Sequence, residues 1–143
     1  MKRRISKILS CCFIILICAG CVNKPSYLAA SFTNDEFSIN ESDIVENTPL
    51  FFQTNINDIS FFIIKVNGKI TSYFNACPKC YTAKRGFRVE NDHILCRVCD
   101  VKYTFDSLET GVASCFPLIL KSRSINGKYT IKKDDLIKGR AYF

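Results

Sequence analysis

The sequence predicts a small, mainly β domain, a sandwich or open barrel, carrying a separate lobe built on two cysteine turns. Three observations lead there. The chain holds twelve Phe and six Tyr but no Trp, and aromatic side chains favour pleated, half-buried surfaces. Short apolar or alternating runs recur between turn signals, and after residue 20 no segment keeps a 3.6-residue apolar period. Two Cys-x-x-Cys pairs, Cys77 with Cys80 and Cys96 with Cys99, stand fifteen residues apart.

The chain begins with a basic Met1-Lys2-Arg3-Arg4, followed by an apolar run from Ile8 to Ala19 that ends at Ala19-Gly20-Cys21. Residues 1–20 therefore read as a secretory signal of the lipoprotein type, since the apolar run is too short for the ~20 residues of a bilayer span. Small residues directly before a cysteine mark Cys21 as the lipidation site. An uncleaved N-terminal anchor is the alternative, with Cys18 standing where such processing sites usually carry Leu. Either way the domain is expected outside the cytoplasm, attached to a membrane. Residues 21–34 are polar and small, with Pro25 and Ser26, and read as a lipidated N-terminus and tether. Residues 35–143 are expected to form one domain.

Within that domain, Glu36 to Ile39 alternates and begins the first strand. Ser42-Asp43 offers capping chemistry for a single helical turn, which Pro49 ends. Leu50 to Gln53 is a second strand. Ser60 to Val66 (SFFIIKV) is the strongest strand in the chain and is read as core; Asn67-Gly68 turns it into a hairpin whose return strand is Lys69 to Asn75. Between the cysteine pairs, Gly86 to Val89 and His93 to Leu95 are strands joined by Asn91-Asp92. Val101 to Phe105 leaves the second pair as a strand, and Tyr103 and Phe105 are placed either to shield the cysteines or simply to pack. A loop follows around Gly111, then an apolar strand from Phe116 to Leu120. A second hairpin turns at Asn126-Gly127 and returns along Lys128 to Lys132. Asp134 to Lys138 reads as a short helix stopped by Gly139.

A Cys-x-x-Cys turn aims two thiolates at one point, and two such turns at the end of a hairpin close a tetrahedral four-sulfur site from Cys77, Cys80, Cys96 and Cys99. Thiolates are soft ligands that select zinc or an iron–sulfur cluster over magnesium or calcium. Spacing does not separate those two. The chain has nine cysteines. Cys11, Cys12 and Cys18 fall in the leader and Cys21 is the lipidation candidate, so Cys115 is left as a fifth mature cysteine and a candidate additional site residue. Three roles compete for it: a ligand, half of a disulfide, or a buried small apolar residue. His93, three residues before Cys96, is a fifth ligand, a proton-coupled neighbour, or an exposed strand-end residue.

The motifs Ala76-Cys77-Pro78-Lys79-Cys80-Tyr81, Lys84-Arg85-Gly86-Phe87, Cys96-Arg97-Val98-Cys99 and Cys115-Phe116-Pro117 resemble the FtrD-like membrane iron–sulfur protein family. The resemblance extends over roughly residues 36 to 143, from Phe61-Phe62 and Asn67-Gly68 to Asp135-Leu136 and Tyr142-Phe143. Asp100 stands where that family often has Gly, and Ala113, Ser114 and Phe116 replace its usual neighbours of the fifth cysteine. A looser similarity is to Rieske domains, in which His takes the place of the second cysteine of each pair. The lobe is thus expected to be of the rubredoxin, zinc-ribbon or Rieske kind. The FtrD-like resemblance implies an iron–sulfur cluster, an electron-carrying role beside a periplasmic iron-uptake or redox system, and a redox or iron-permease protein as partner.

The formal charge is +7. Four of those charges, Lys2, Arg3, Arg4 and Lys7, lie in the leader, which has no acid, so the remainder carries only +3. That is weak support for a nucleic-acid partner. Nothing around the single His forms a nucleophile–base–acid set, and no small-molecule substrate pocket is evident. Two further readings stay open beside the electron carrier. One is a structural zinc-ribbon lipoprotein domain acting as a binding module. The other is a thiol–disulfide oxidoreductase, which would need a helix starting at a cysteine pair inside a βαβ unit. A non-enzymatic electron-transfer protein is the favoured reading.

Overall fold

The computed structural model describes residues 25–110 and 115–143. Residues 1–20, read as a signal, Cys21 and the loop residues Gly111, Ala113 and Ser114 lie outside the described residues. The elements in order are β1 (Leu28–Ala29), β2 (Glu36–Asn40), β3 (Leu50–Gln53), β4 (Ser60–Val66), β5 (Lys69–Phe74), β6 (Phe87–Glu90), β7 (His93–Cys96), β8 (Lys102–Thr104), β9 (Ile119–Leu120), β10 (Arg123–Ile125), β11 (Lys128–Lys132) and α1 (Lys133–Ile137), with single 3-10 turns between.

Three sheets stack. The central one has the order β1-β3-β4-β5-β9, a second β10-β11-β2, and the third β6-β7-β8. The expected small sandwich is formed by the first two. Phe52, Phe61, Ile63 and Phe74 from the central sheet meet Phe37, Tyr129 and Ile131 from the second. The cysteine lobe, inserted between β5 and β9, covers the opposite face. There Phe51, Phe62, Ile64 and Tyr73 meet Phe87, Ile94 and Tyr103. This explains why β4 reads as an unbroken apolar run. Antiparallel sheets commonly leave one face wet and alternate accordingly, but Phe61 to Ile64 are all buried because both faces are covered. Each such side chain contributes about 1.5–3 kcal/mol on leaving water.

Both Asn-Gly hairpins form as expected. Asn67 and Gly68 have φ of 52° and 78°, Asn126 and Gly127 50° and 72°, the left-handed pair that matches the twist of the flanking strands.

Several expectations are corrected. Within the stretch read as a tether, Leu28–Ala29 pairs in parallel with Phe52 and Gln53, and the Ala30 N–H donates to the Gln53 carbonyl at 2.9 Å. A small edge strand with no alternation carries no period-2 signal. The single turn after β2 is the 3-10 turn Glu41–Asp43, and no side chain caps it. The strand expected over Phe116 to Leu120 shrinks to Ile119–Leu120, since Pro117 has no N–H to give a ladder. Gly139 does not end α1 in a left-handed conformation; its φ is −83°. It is small because a β-carbon there would stand 2.2 Å from the Phe74 ring.

Candidate metal centre

Both cysteine turns hang from strands and are held by backbone bonds. In the first, the Cys80 N–H donates to the Cys77 carbonyl (3.1 Å) and the Lys84 N–H to that of Tyr81 (2.8 Å). The chain then reverses through Lys84 and Gly86, with φ of 51° and 61°. In the second, the Asp100 N–H donates to the Cys96 carbonyl at 3.0 Å. Asp100 has φ 58°, so the residue standing where glycine is common still meets the left-handed requirement that Asp tolerates. The two turns are tied together: the Arg97 N–H donates to the Gly86 carbonyl (2.9 Å) and its guanidinium to the Arg85 carbonyl (2.8 Å).

The lobe is anchored by Asn75, a buried residue for which the sequence offered no signal beyond its place before Ala76-Cys77. Its Oδ1 accepts from the Phe87 N–H at 2.7 Å. Its Nδ2 donates to the Tyr27 hydroxyl at 2.7 Å and to Ser60 Oγ at 3.3 Å. One amide thus joins the lobe, the central sheet and the segment before β1.

Cys77, Cys80, Cys96, Cys99 and Cys115 converge. The Sγ atoms of Cys77, Cys80, Cys96 and Cys115 lie within 4.8 Å of one another. Thiolates around one tetrahedral ion at ~2.3 Å would be about 3.8 Å apart. Cys115 Sγ is 3.1 Å from Cys77 Sγ and 3.2 Å from Cys99 Sγ. These separations are far beyond the ~2.05 Å of a disulfide, and all five thiols are free. Cys115 is therefore brought to the site, buried, and Cys99, though beside it, is exposed. The sequence-expected set of Cys77, Cys80, Cys96 and Cys99 is joined by a fifth thiol that sits between the two pairs. His93 is at the far end of β7 from Cys96, its Nδ1 2.6 Å from Asp92 Oδ1. Tyr103 and Phe105 pack into the same cluster as Cys77, Cys96 and Cys115.

The electrostatics follow from this crowding. Burial, then the Cys96, Cys99 and Cys77 thiols, pushes Cys80 up to about 12. Burial, then Cys77 and Cys99, likewise pushes Cys115 up. At Cys99, burial acts upward but is outweighed by hydrogen bonds from the Val101 N–H and from the Cys115, Cys96 and Cys80 thiols, so its thiol is lowered. Five thiols facing one point do not ionise together unless a cation is among them, and a coordinating thiol is deprotonated outright. The all-sulfur donor set fits a thiophilic metal or cluster.

Beside the thiols opens a cavity of about 580 Å³. Cys77, Cys80 and Cys96 line it, together with Lys84, Arg85 and Arg97. None of these three cations has an ion-pair partner among the described residues, whereas Arg88 and Lys102, on the lobe's strands, pair with Glu90.

The model of the family described as "membrane iron-sulfur containing protein FtrD-like" matches residues 44–143. The chain belongs to this family. The match spans all five thiols and every strand from β3 to β11, and begins after β1 and β2. It makes the chain an iron-related metal protein of a membrane-associated family. Among the described residues of this FtrD-like chain, no helix is long and apolar enough to cross a membrane. No curated protein matches the chain. Among solved structures, it is similar to a carbazole-bound oxygenase and ferredoxin complex of carbazole 1,9a-dioxygenase, at 14% identity and a TM-score of 0.45. That similarity covers 71% of this chain and 29% of the other, so the FtrD-like chain spans under a third of that chain's length.

Proposed function

We propose that this FtrD-like chain is an extracytoplasmic iron–sulfur electron carrier, held at the membrane through a lipidated Cys21. The observation that carries the reading is the convergence of Cys77, Cys80, Cys96, Cys99 and Cys115 on one point, in a family described as iron–sulfur. Cys77, Cys80 and Cys96 would hold iron in any arrangement. Cys115, buried among them, takes the fourth place, with exposed Cys99 directly behind it.

An iron–sulfur cluster in this cradle supplies one-electron outer-sphere transfer, which needs neither an acid–base pair nor a bound substrate. The protein's part is to position and tune. Backbone N–H groups of the two cysteine turns would hydrogen-bond the cluster's sulfurs, and such bonds stabilise negative charge on sulfur and raise a reduction potential. Phe87, Ile94 and Tyr103 keep water from one side of the thiols. On the other side the cavity leaves Cys80 within reach of a docking surface, and Lys84, Arg85 and Arg97, which have no ion-pair partner among the described residues, favour a partner presenting carboxylates. That partner is a redox or iron-permease protein of the same membrane.

The test is the metal. Protein purified without oxygen is expected to be brown, to contain iron and acid-labile sulfide, and to bleach with dithionite. Colourless protein with one stoichiometric zinc would overturn the carrier and leave a zinc-stapled binding module.

A further inference from the structure

The five free thiols exceed by one what a tetrahedral site takes, and the structure sets one of them apart. The sulfurs of Cys77, Cys80, Cys96 and Cys115 lie within 4.8 Å of one another, and Cys99 is not of that set. Cys77, Cys96 and Cys115 are buried and Cys80 is half-buried, whereas Cys99 is exposed. Yet Cys99 touches the set: its Sγ is 3.2 Å from Cys115 Sγ. One thiol thus faces solvent and a buried ligand at once, and access is what makes a thiol reactive. The surroundings favour this side as the way in for a cation. The cavity beside Cys77, Cys80 and Cys96 is lined by Lys84, Arg85 and Arg97 against the single carboxylate side chain of Asp58, a field that opposes an incoming cation. Cys99 does not line that cavity, and its neighbour in the chain, Asp100, is an exposed carboxylate.

We infer that Cys99 is the capture ligand of the centre: it takes a thiophilic cation from solvent, passes it to Cys115, and has no place in the filled site. The inference rests on the reading of Cys115 as the fourth ligand, and on neither iron nor electron transfer. Cys99 loses its proton to solvent and forms the first metal–sulfur bond, as a water or a carrier's ligand leaves the cation. Cys77, Cys80 and Cys96 follow, each releasing its proton. Cys115 then bonds, the bond to Cys99 breaks, and the proton from Cys115 passes to the freed Cys99 sulfur 3.2 Å away. No electron is gained or lost. Removal runs the same steps backward. Cys99 therefore changes the rates of loading and unloading and leaves the equilibrium where it is.

Cobalt(II) alone is the probe. It is added to the reduced, metal-free full chain and withdrawn by EDTA, while stopped flow follows the sulfur-to-cobalt charge-transfer band. In Cys99→Ser the band and the affinity of the filled site are expected to be unchanged. Loading and unloading are each expected to slow roughly tenfold, by the same factor, because the thiol no longer supplies its local concentration beside the site. A lost band or a weakened affinity would make Cys99 a resident ligand, and unmoved rates would make it a bystander; either overturns the inference. Should the variant not fold, iodoacetamide on cobalt-loaded wild type decides. Of the five thiols, Cys99 alone is expected to be alkylated with the band retained, after which EDTA withdraws the cobalt roughly tenfold more slowly. Alkylation of Cys115 in its place, alkylation of none, or an unslowed withdrawal overturns it. The electron carrier is judged apart from this: natively bound zinc overturns the carrier and leaves the capture role of Cys99 intact.

Discussion

The amide of Asn75 lies 2.6 Å from where a β-carbon on Gly86 would stand. Gly86 also has φ 61°, and the next N–H, of Phe87, donates to the same amide. The two residues interlock the sulfur lobe with the central sheet, eleven positions apart in sequence. Gly86→Ala is expected to destabilise the metal-loaded domain by about 1–2 kcal/mol from backbone conformation, and by more once Asn75 is displaced. Asn75→Ala, which orphans the Phe87 N–H, is expected to cost about 1–3 kcal/mol. Denaturant midpoints of the loaded proteins measure both. A midpoint unchanged in both variants would show that the lobe is held by its apolar face alone.

The five thiols are not equivalent, and single replacements should rank them. Cys96→Ser is expected to lose metal together with most of the cooperative unfolding transition, since metal binding is folding free energy in small domains. Cys115→Ala is expected to alter the visible spectrum or the potential. Cys99→Ser is expected to do less, because that thiol is exposed at the edge of the group. If Cys99→Ser strips the metal while Cys115→Ala leaves the spectrum untouched, the four ligands are the two matched pairs and Cys115 is packing.

The metal-free protein should weaken as pH rises. Its Cys80 thiol is pushed up to about 12 by burial and then by its neighbours, against an unfolded value of ~8.5. Below ~8.5 both states keep the proton and the group contributes nothing. Between there and about 12 the unfolded chain ionises first and the folded chain does not, so stability falls. The urea midpoint of apo protein is expected to be lower near pH 10 than near pH 8, and Cys80→Ser should remove part of that drop. The metal-loaded protein shows the opposite slope, because the ligated thiolates lose metal as they are protonated.

The cavity rim should steer small redox reagents. With Lys84 and Arg85 both lining it, oxidation of the reduced protein by anionic ferricyanide is expected to slow as salt rises, screening extending over ~10 Å at 0.1 M. Stopped-flow rates should fall further in Lys84→Glu/Arg85→Glu, while a cationic ruthenium ammine gains. Equal salt dependence for both reagents would place the electron's exit elsewhere.

Lipidation at Cys21 is checked by intact mass of the membrane fraction. The mature chain is expected to begin at Cys21 and to carry acyl chains. A mass that retains Met1 would support an uncleaved anchor.

Much of this molecule is decided locally and so was readable in the chain. The bounds of β3 and β4, both Asn-Gly hairpins and the two cysteine turns follow from neighbouring residues: β-branched and aromatic runs, paired left-handed turn residues, and thiols three apart that share one turn. What needed the tertiary structure is long-range. Asn75 is one more polar residue until Gly86, Tyr27 and Ser60 are packed around it. The unbroken apolar face of β4 states that both sides are covered, but not that the cover is the sulfur lobe on one side and β2 and β11 on the other. Cys115 has no cysteine near it in sequence. Only the return of the chain from the lobe toward β9 places its sulfur 3.1 Å from Cys77 and 3.2 Å from Cys99. Closing that sixteen-residue span from Cys99 carries an entropy cost that varies only slowly with length, so no spacing rule in the sequence announces it, and burial of the fifth thiol against Phe87, Ile94 and Tyr103 decides it.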